Sequence, residues 1–241
     1  MSRKHYGSGS YKMFDNEGKE YLLTVEQDEY AENPREYYNI CTMVCWHRHY
    51  RLGDKHSFDG PDELMQHLYI DVTGKHWCDE HDSDDWQDVI KELQATNLIL
   101  IKPINMYDHS GITVSTSNGY PYNDRWDAGC VGFIYVTKKT ILKECGNVTD
   151  ENWKERADEY LEGEMTTYDQ YLRGECYHFT LEEKVHYRNE TTCHHCGEVI
   201  KVDEYDDYEE VDACCGFYGD CLEENGILDN IMSGLKFAEE E

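Results

Sequence analysis

The sequence predicts an α+β fold: a mixed or antiparallel sheet with packed helices and a small C-terminal zinc-ribbon-like hairpin. Three observations point there. Short runs of strand-forming residues recur without regular strand–helix–strand alternation. One long segment, residues 150–173, repeats its apolar residues at helical spacing. A Cys-x-x-Cys motif, Cys193 and Cys196, is followed after an interval of 17 residues by Cys214 and Cys215.

The elements follow in chain order. Glu20–Gln27 contains Tyr-Leu-Leu-Thr-Val and reads as a strand. Residues 40–46, Ile-Cys-Thr-Met-Val-Cys-Trp, form a second strand. Asp59-Gly60-Pro61 starts a short helix carrying Leu64, Met65 and Leu68. Residues 79–88 hold six acids and lead into a helix with Trp86, Val89, Ile90 and Leu93 on one face. Ser83 is its expected N-cap. Residues 98–106 and 111–116 form a strand pair around the turn Tyr107-Asp108-His109-Ser110. Residues 130–136, Cys-Val-Gly-Phe-Ile-Tyr-Val, are a buried strand, and Thr137 caps the short helix after it. In residues 150–173, Trp153, Ala157, Tyr160, Leu161, Met165, Tyr168 and Leu172 share one face. Residues 176–181 are a strand. Residues 198–202 and 208–213 are two short strands of the Cys-rich hairpin, and residues 226–235 a last short helix. The division this implies is a flexible segment 1–19, a main domain 20–185, a hairpin insertion 186–222, and a C-terminal helix with an acidic tail 223–241.

Composition pulls two ways. The 241 residues carry 22 Lys and Arg against 51 Asp and Glu, a net charge of −29. Leu, Ile, Val and Phe together make up under a fifth of the chain, which with this charge is the signature of disorder. Twenty Tyr and five Trp argue for a core, because each aromatic buries a large area. A folded, Tyr-rich chain with a very acidic surface reconciles the two. That surface excludes direct binding to a phosphate backbone, which relies on Lys and Arg, and disfavours anionic membranes. The N-terminus lacks the apolar stretch of a signal peptide. The longest aliphatic run, Leu98 to Ile101, is four residues, too short to span a bilayer. A cytoplasmic location is expected. Eleven Cys, an odd number with one Cys-x-x-Cys, fit free thiols plus one metal site better than a secreted disulfide framework.

Three groups of residues are candidates for function. The first is acidic. Residues 151–241 hold 26 acids and 7 bases, whereas residues 1–150 hold 25 and 15. Glu151, Glu155, Asp158, Glu159, Glu162 and Asp169 fall on the polar face of the long helix. Residues 203–212 place seven acids in ten, among them Asp203, Glu204, Asp206, Asp207, Glu209 and Glu210. Carboxylates on such surfaces recur at roughly 5–7 Å. Phosphates advance about 3.4 Å along the duplex axis and further along the winding backbone. An acidic face can therefore occupy a basic nucleic-acid groove, with salt-sensitive binding. A solvated surface serving solubility is the competing reading.

The second group is a zinc site of Cys193, Cys196, Cys214 and Cys215, with Cys221, His194 or His195 as alternatives for the fourth ligand. Four soft ligands close the shell, so such zinc is structural. The third group is catalytic: Asp108 and His109 in a turn, with Asp127 and Cys130, resemble the parts of a Cys/His/Asp site. A self-capping turn and a core cysteine explain the same residues. His47 and His49, flanking an apolar strand, are further candidates for a metal site. No phosphate-binding loop, Gly-x-Ser-x-Gly, His-Glu-x-x-His or dinucleotide fingerprint occurs.

Several segments carry a resemblance. They are Asn33-Pro34-Arg35 through Gly53-Asp54-Lys55-His56, Tyr107-Asp108-His109-Ser110-Gly111-Ile112-Thr113, Trp126-Asp127-Ala128-Gly129-Cys130-Val131-Gly132-Phe133-Ile134-Tyr135-Val136, Thr167-Tyr168-Asp169-Gln170-Tyr171-Leu172 and Gly216-Phe217-Tyr218-Gly219-Asp220. The chain resembles a family of acidic proteins of phages and mobile elements of Gram-positive and gut bacteria. The resemblance implies a viral or mobile-element origin and transfers no catalytic residues. With the charge, it leads to the expectation of an accessory protein that inhibits a host nucleic-acid-binding defence factor, of anti-CRISPR or anti-restriction type, by mimicking nucleic acid. The alternatives are a small Cys/His/Asp enzyme and a zinc-stabilised interaction module.

Overall fold

The computed structural model describes residues 5–77, 86–108, 111–117 and 128–238. It is α+β with two antiparallel sheets, each in its own compact unit. One unit is Asn33–Arg173; the other joins Met1–Glu32 to Gly174–Glu241.

The elements of the first-named unit are β3 (Thr42–Cys45), α1 (Pro61–Thr73), α2 (Trp86–Ala95), β4 (Ile99–Asp108), β5 (Ile112–Ser115), β6 (Ala128–Thr137), α3 (Lys138–Glu144) and α4 (Trp153–Leu172). Its strand order is β3-β6-β4-β5. Both faces of this sheet are covered. Met43, Leu100, Ile134 and Val136 pack on one side with Trp153, Ala157, Leu161, Met165 and Tyr168 of α4. Val44, Ile99, Ile101 and Phe133 pack on the other with Leu64 and Leu68 of α1 and Val89 and Leu93 of α2. A sheet covered on both sides needs apolar residues at successive positions, which is why β3, β4 and β6 read as continuous apolar runs. Thr137 caps α3, its hydroxyl accepting from the Thr140 N–H at 3.1 Å. Pro61 begins α1, and Gly74 ends it in the left-handed conformation.

The other unit contains β1 (Gly9–Phe14), β2 (Glu20–Gln27), β7 (Cys176–Thr192), β8 (Val199–Tyr218), α5 (Ile227–Asn230) and β9 (Lys236–Phe237). The order is β8-β7-β2-β1-β9. Met13, Leu23, Val25, Phe179, Leu181 and Phe217 form its core with Leu222, Ile227 and Ile231.

Several expectations are corrected. Residues 9–14, placed in a flexible leader, form β1 and pair with β2 from Gly9 to Phe14. The division of the chain falls at 32/33 and 173/174, because the N-terminal strands complete the sheet that the C-terminal hairpin begins. The two short strands expected at 198–202 and 208–213 are one 20-residue strand, β8. The helix expected over 226–235 is only the four residues of α5. The Ser83 cap and most of the acidic stretch before α2 lie outside the described residues.

Candidate functional site

The longest hairpin is the most distinctive feature of the second sheet. β2 pairs with β7 only as far as Glu183. Beyond that residue β7 has β8 alone as a neighbour, through to Thr192 opposite Val199. The result is a two-stranded ribbon with solvent on both faces. Strand residues with strong acidic charge have low β propensity, so cross-strand pairs hold it. On one face Lys184 meets Asp206 at 3.1 Å, His186 meets Asp206 at 2.8 Å and Arg188 lies 3.6 Å from Glu204. On the other face Tyr187 and Tyr205 stack, with centroids 5.3 Å apart, and the Tyr187 hydroxyl donates to Glu209. At the base, the Tyr208 hydroxyl donates to Glu20 at 2.6 Å, and Lys12 approaches the same carboxylate at 2.9 Å. These contacts hold the Glu20 pKa below the usual carboxylate range. His186 and Lys184 lower that of Asp206 likewise.

Half of the ribbon's acids, Glu182, Asp207, Glu209, Glu210 and Asp212, meet no opposite charge among the described residues. Residues 182–190 and 199–212 contain ten carboxylates and three Lys or Arg. Asp203, Glu204, Asp206, Asp207, Glu209 and Glu210 all lie on it, together with exposed Ile200, Tyr205 and Val211.

The expected acids of α4 are placed differently. Asp158 and Glu162 bind Lys102 of β4, Glu162 at 2.8 Å. Glu162 also accepts from the Thr116 hydroxyl at 2.6 Å. Asp169 accepts from the Thr113 hydroxyl and the Val114 N–H, at 2.6 and 2.7 Å. These three carboxylates tie the helix to its own sheet. Glu159 pairs with Arg156 at 2.6 Å. Glu151 and Glu155 remain exposed.

The cysteines do not gather. Cys193 and Cys196 occupy the turn at the ribbon tip. Cys214 and Cys215 lie near the far end of β8, about 50 Å away at the rise of an extended strand. Cys221 is buried beyond β8 in the core of this unit. The interval of 17 residues suggested a folded-back hairpin; the chain instead runs straight through it. Among the described residues no three His, Cys, Asp or Glu side chains are grouped to hold a metal. The tip itself is well formed. The Cys193 N–H donates to Glu198 O at 2.7 Å, and Gly197, at φ +74°, donates to Cys193 O at 2.8 Å. Backbone N–H groups of Cys196 and His195, with the Cys196 thiol, donate to the Cys193 sulfur and lower its pKa.

The enzyme candidates are separated. Cys130 pairs with Asn105 on the neighbouring strand, and Asp108 lies three residues further along β4, about 10 Å away and on the opposite face. Crowding around the Cys130 sulfur raises its pKa. Burial raises the Cys45 thiol to about 12 and Cys176 to about 11, so neither offers a thiolate near neutral pH. His109 and Asp127 lie outside the described residues.

Two groups escaped sequence reasoning. The first is a buried ion cluster. Arg35 donates to Asp54 twice, to Glu164 and to Cys41 O, all at 2.8 Å. Burial opposes the charge on Arg35, but Asp54 and Glu164 outweigh it and raise its pKa. The second is a cleft on the loop after β3, lined by Trp46, His47, Arg48, Tyr50, Arg51, Lys55 and His56; the sequence singled out His47 and His49 here, as metal ligands, but not the cleft or its cations. Its signal was present: bases and histidines are dense here in an otherwise acidic chain.

No helix among the described residues is long and apolar enough to cross a membrane. Comparison with protein-family models, with curated proteins and with solved structures finds no match to the chain.

Proposed function

We propose that the chain is a phage-type accessory protein whose acidic β-ribbon occupies the nucleic-acid site of a basic host protein, and so blocks a defence factor of anti-CRISPR or anti-restriction target type. The observation that carries this reading is the ribbon itself. A two-stranded ribbon with both faces in water is marginal alone. This one carries ten carboxylates in the 23 residues of 182–190 and 199–212 and leaves Ile200, Tyr205 and Val211 exposed among them. Alternate residues along one face are spaced about 6.7 Å apart, close to the interval between phosphates followed along a strand. The three Lys and Arg are consumed within the ribbon: Lys184 on Asp206, Arg188 on Glu190 and Lys201 on Asp203. The acids of α4 contribute less, because three of them hold the helix to its sheet.

The test uses the purified full-length chain and a panel of basic DNA- and RNA-binding proteins from the bacterial host. A bound partner is then challenged with duplex DNA. Mutual exclusion is expected, with affinity falling as salt rises. The Asp207→Lys/Glu210→Lys variant is expected to lose binding and keep its fold. A panel with no binding at moderate salt, or DNA and chain bound together, refutes the proposal.

Zinc enters this reading only at the ribbon tip. Cys193 and Cys196 supply two of the four ligands that a structural site takes. The other two come from a second chain, so zinc would join two ribbons tip to tip.

A further inference from the structure

The loop after β3 borders an open cleft of about 1310 Å³, contained within the Asn33–Arg173 unit. Its chemistry is the reverse of the rest of the molecule. Arg48, Arg51 and Lys55 lie on it, exposed, and none makes an ion pair among the described residues. Elsewhere Lys12, Lys19, Lys102, Lys138, Arg156 and Lys184 are all paired with carboxylates. In a chain with 51 acids, three unpaired cations within eight residues are a local inversion of charge. The acids at the cleft do not cancel it. Asp54 gives both oxygens to Arg35 and one also to the Met43 N–H at 2.8 Å. Glu36 stands exposed at the rim.

The wall has a second mark. His56 lines the cleft with its Nε2 on Cys45 O at 2.9 Å, and its Nδ1 is buried without any partner. Buried polar atoms are almost always paired; this nitrogen is an exception, and because it has no exposed surface it marks the wall without itself meeting a ligand. Flat surfaces adjoin the cations. Tyr50 stacks on His47 with centroids 5.0 Å apart and planes 10° apart, and Trp46 is half-buried beside them. The ground beneath is fixed. Gly53, at φ +70°, donates to the Tyr168 hydroxyl at 2.9 Å, and a Cβ there would come 2.6 Å from Met43 O. Donors held in place lose little entropy when a ligand arrives.

We propose that this cleft binds a small phosphate-bearing ligand of the mononucleotide class, its phosphate on Arg48, Arg51 and Lys55 and its base against Trp46 and Tyr50. Arg suits phosphate through its planar fork of donors, and aromatic rings hold a base by stacking. The charge of the chain selects size. A long polyanion meets the whole field of a molecule at −29. A small anion feels mainly the charges within about 8 Å at physiological salt; at the cleft these are Arg48, Arg51 and Lys55, set against Glu36, the Arg35-bound Asp54 and Asp108, which accepts from the Tyr50 hydroxyl. This inference is independent of the ribbon.

Calorimetry on the full chain, with inorganic phosphate, a nucleoside, its monophosphate and a short single-stranded oligonucleotide as probes, tests it. The monophosphate is expected to bind at least about tenfold tighter than either phosphate or nucleoside, since its two halves reach separate subsites. Arg51→Gln/Lys55→Gln is expected to weaken it by about tenfold or more with unchanged thermal unfolding, because both side chains are exposed. Lys139→Gln/Lys154→Gln, on exposed sites elsewhere, is expected to change nothing. No binding at millimolar monophosphate, equal affinity for the nucleoside, tighter binding of the oligonucleotide, or an Arg51→Gln/Lys55→Gln variant that binds like wild type each overturns the proposal.

Discussion

Arg35 grips Asp54 through two parallel hydrogen bonds, Nε to Oδ1 and Nη2 to Oδ2, each 2.8 Å long. The pair spans 19 residues of chain, and Glu164 of α4 closes the other side of the guanidinium. Glu164 also accepts from the Ile40 and Cys41 N–H groups at 2.8 and 3.1 Å. One side chain thus fixes the start of β3, the cleft loop and α4 together.

Arg35→Met therefore leaves two carboxylates facing each other without a cation. Breaking one partner out of a buried pair costs about 3–5 kcal/mol. Asp54 retains some solvent access, its side chain 24% exposed, so the lower end, about 3 kcal/mol, is expected. Urea unfolding of the variant measures it. A loss below about 1 kcal/mol, the value of a surface pair, shows that the cluster does not hold the unit.

The parts of this fold that were legible follow from pattern. β2, β6 and α4 were readable because their apolar residues repeat at strand or helix spacing and end up in the cores. The ribbon was not. Asp203 to Asp212 carries residues of low strand propensity, and its extended state comes from pairing with a partner strand 20 residues away, as His186 does with Asp206. A local reading sees two short strands and a turn, and from that turn it built a four-cysteine zinc site. The acids of α4 were seen on the correct face, but their internal partners, Lys102, Thr113 and Thr116, lie far away in sequence. The Arg35 cluster was invisible for the same reason. The cleft was hidden by averaging: a net charge of the whole chain erases a patch of three cations.

Gly132 is required by a close approach of two strands. It pairs with Cys45 across β3 and β6, and a Cβ would lie 2.1 Å from Val44 O and 2.8 Å from the Cys45 Cα. Both neighbours are backbone and cannot turn aside. Gly132→Ala is expected to push β3 off the sheet and to cost about 3 kcal/mol, the upper range of overpacking. Thermal unfolding checks it, with Gly163→Ala as the contrast. A Cβ at Gly163 meets nothing within 4 Å, so that substitution on α4 should stabilise by up to about 1 kcal/mol.

Acid should loosen the base of the ribbon before the cores. Glu20 sits under the Tyr208 hydroxyl and beside Lys12, and both lower its pKa. A carboxylate with a lowered folded-state pKa stabilises fully above its unfolded value, about 4.3. That contribution is lost as pH falls through the lower folded value. Protection of the β8 amides from exchange, measured against the intrinsic rate at each pH, is expected to fall below about pH 4. In Glu20→Gln this loss should be smaller, since no proton is taken up there and only groups such as Asp206 remain to titrate. Identical profiles for the two proteins would place the acid sensitivity elsewhere.

The tip cysteines set a stoichiometry. Structural zinc takes four ligands in a tetrahedron; one chain's tip offers Cys193 and Cys196, His194 and His195 of the same turn are not grouped with them to hold a metal among the described residues, and Cys214 and Cys215 lie far down the strand. A single ribbon cannot bend to unite them, because residues 199–218 are one continuous strand paired with β7 along most of its length. Titration of the reduced full-length chain with zinc should then saturate at one ion per two chains, and sedimentation should show a dimer that a chelator returns to monomer. Cys193→Ser and Cys196→Ser are each expected to abolish both effects. Cys214→Ser/Cys215→Ser is expected to leave both intact. One zinc per monomer, lost in the Cys214→Ser/Cys215→Ser variant, would instead require the strand to break and would restore the four-cysteine site. A Cys193–Cys196 disulfide that forms readily and leaves no zinc affinity would make the tip a redox pair, with Cys193, its sulfur the better stabilised as thiolate, as the attacking thiol.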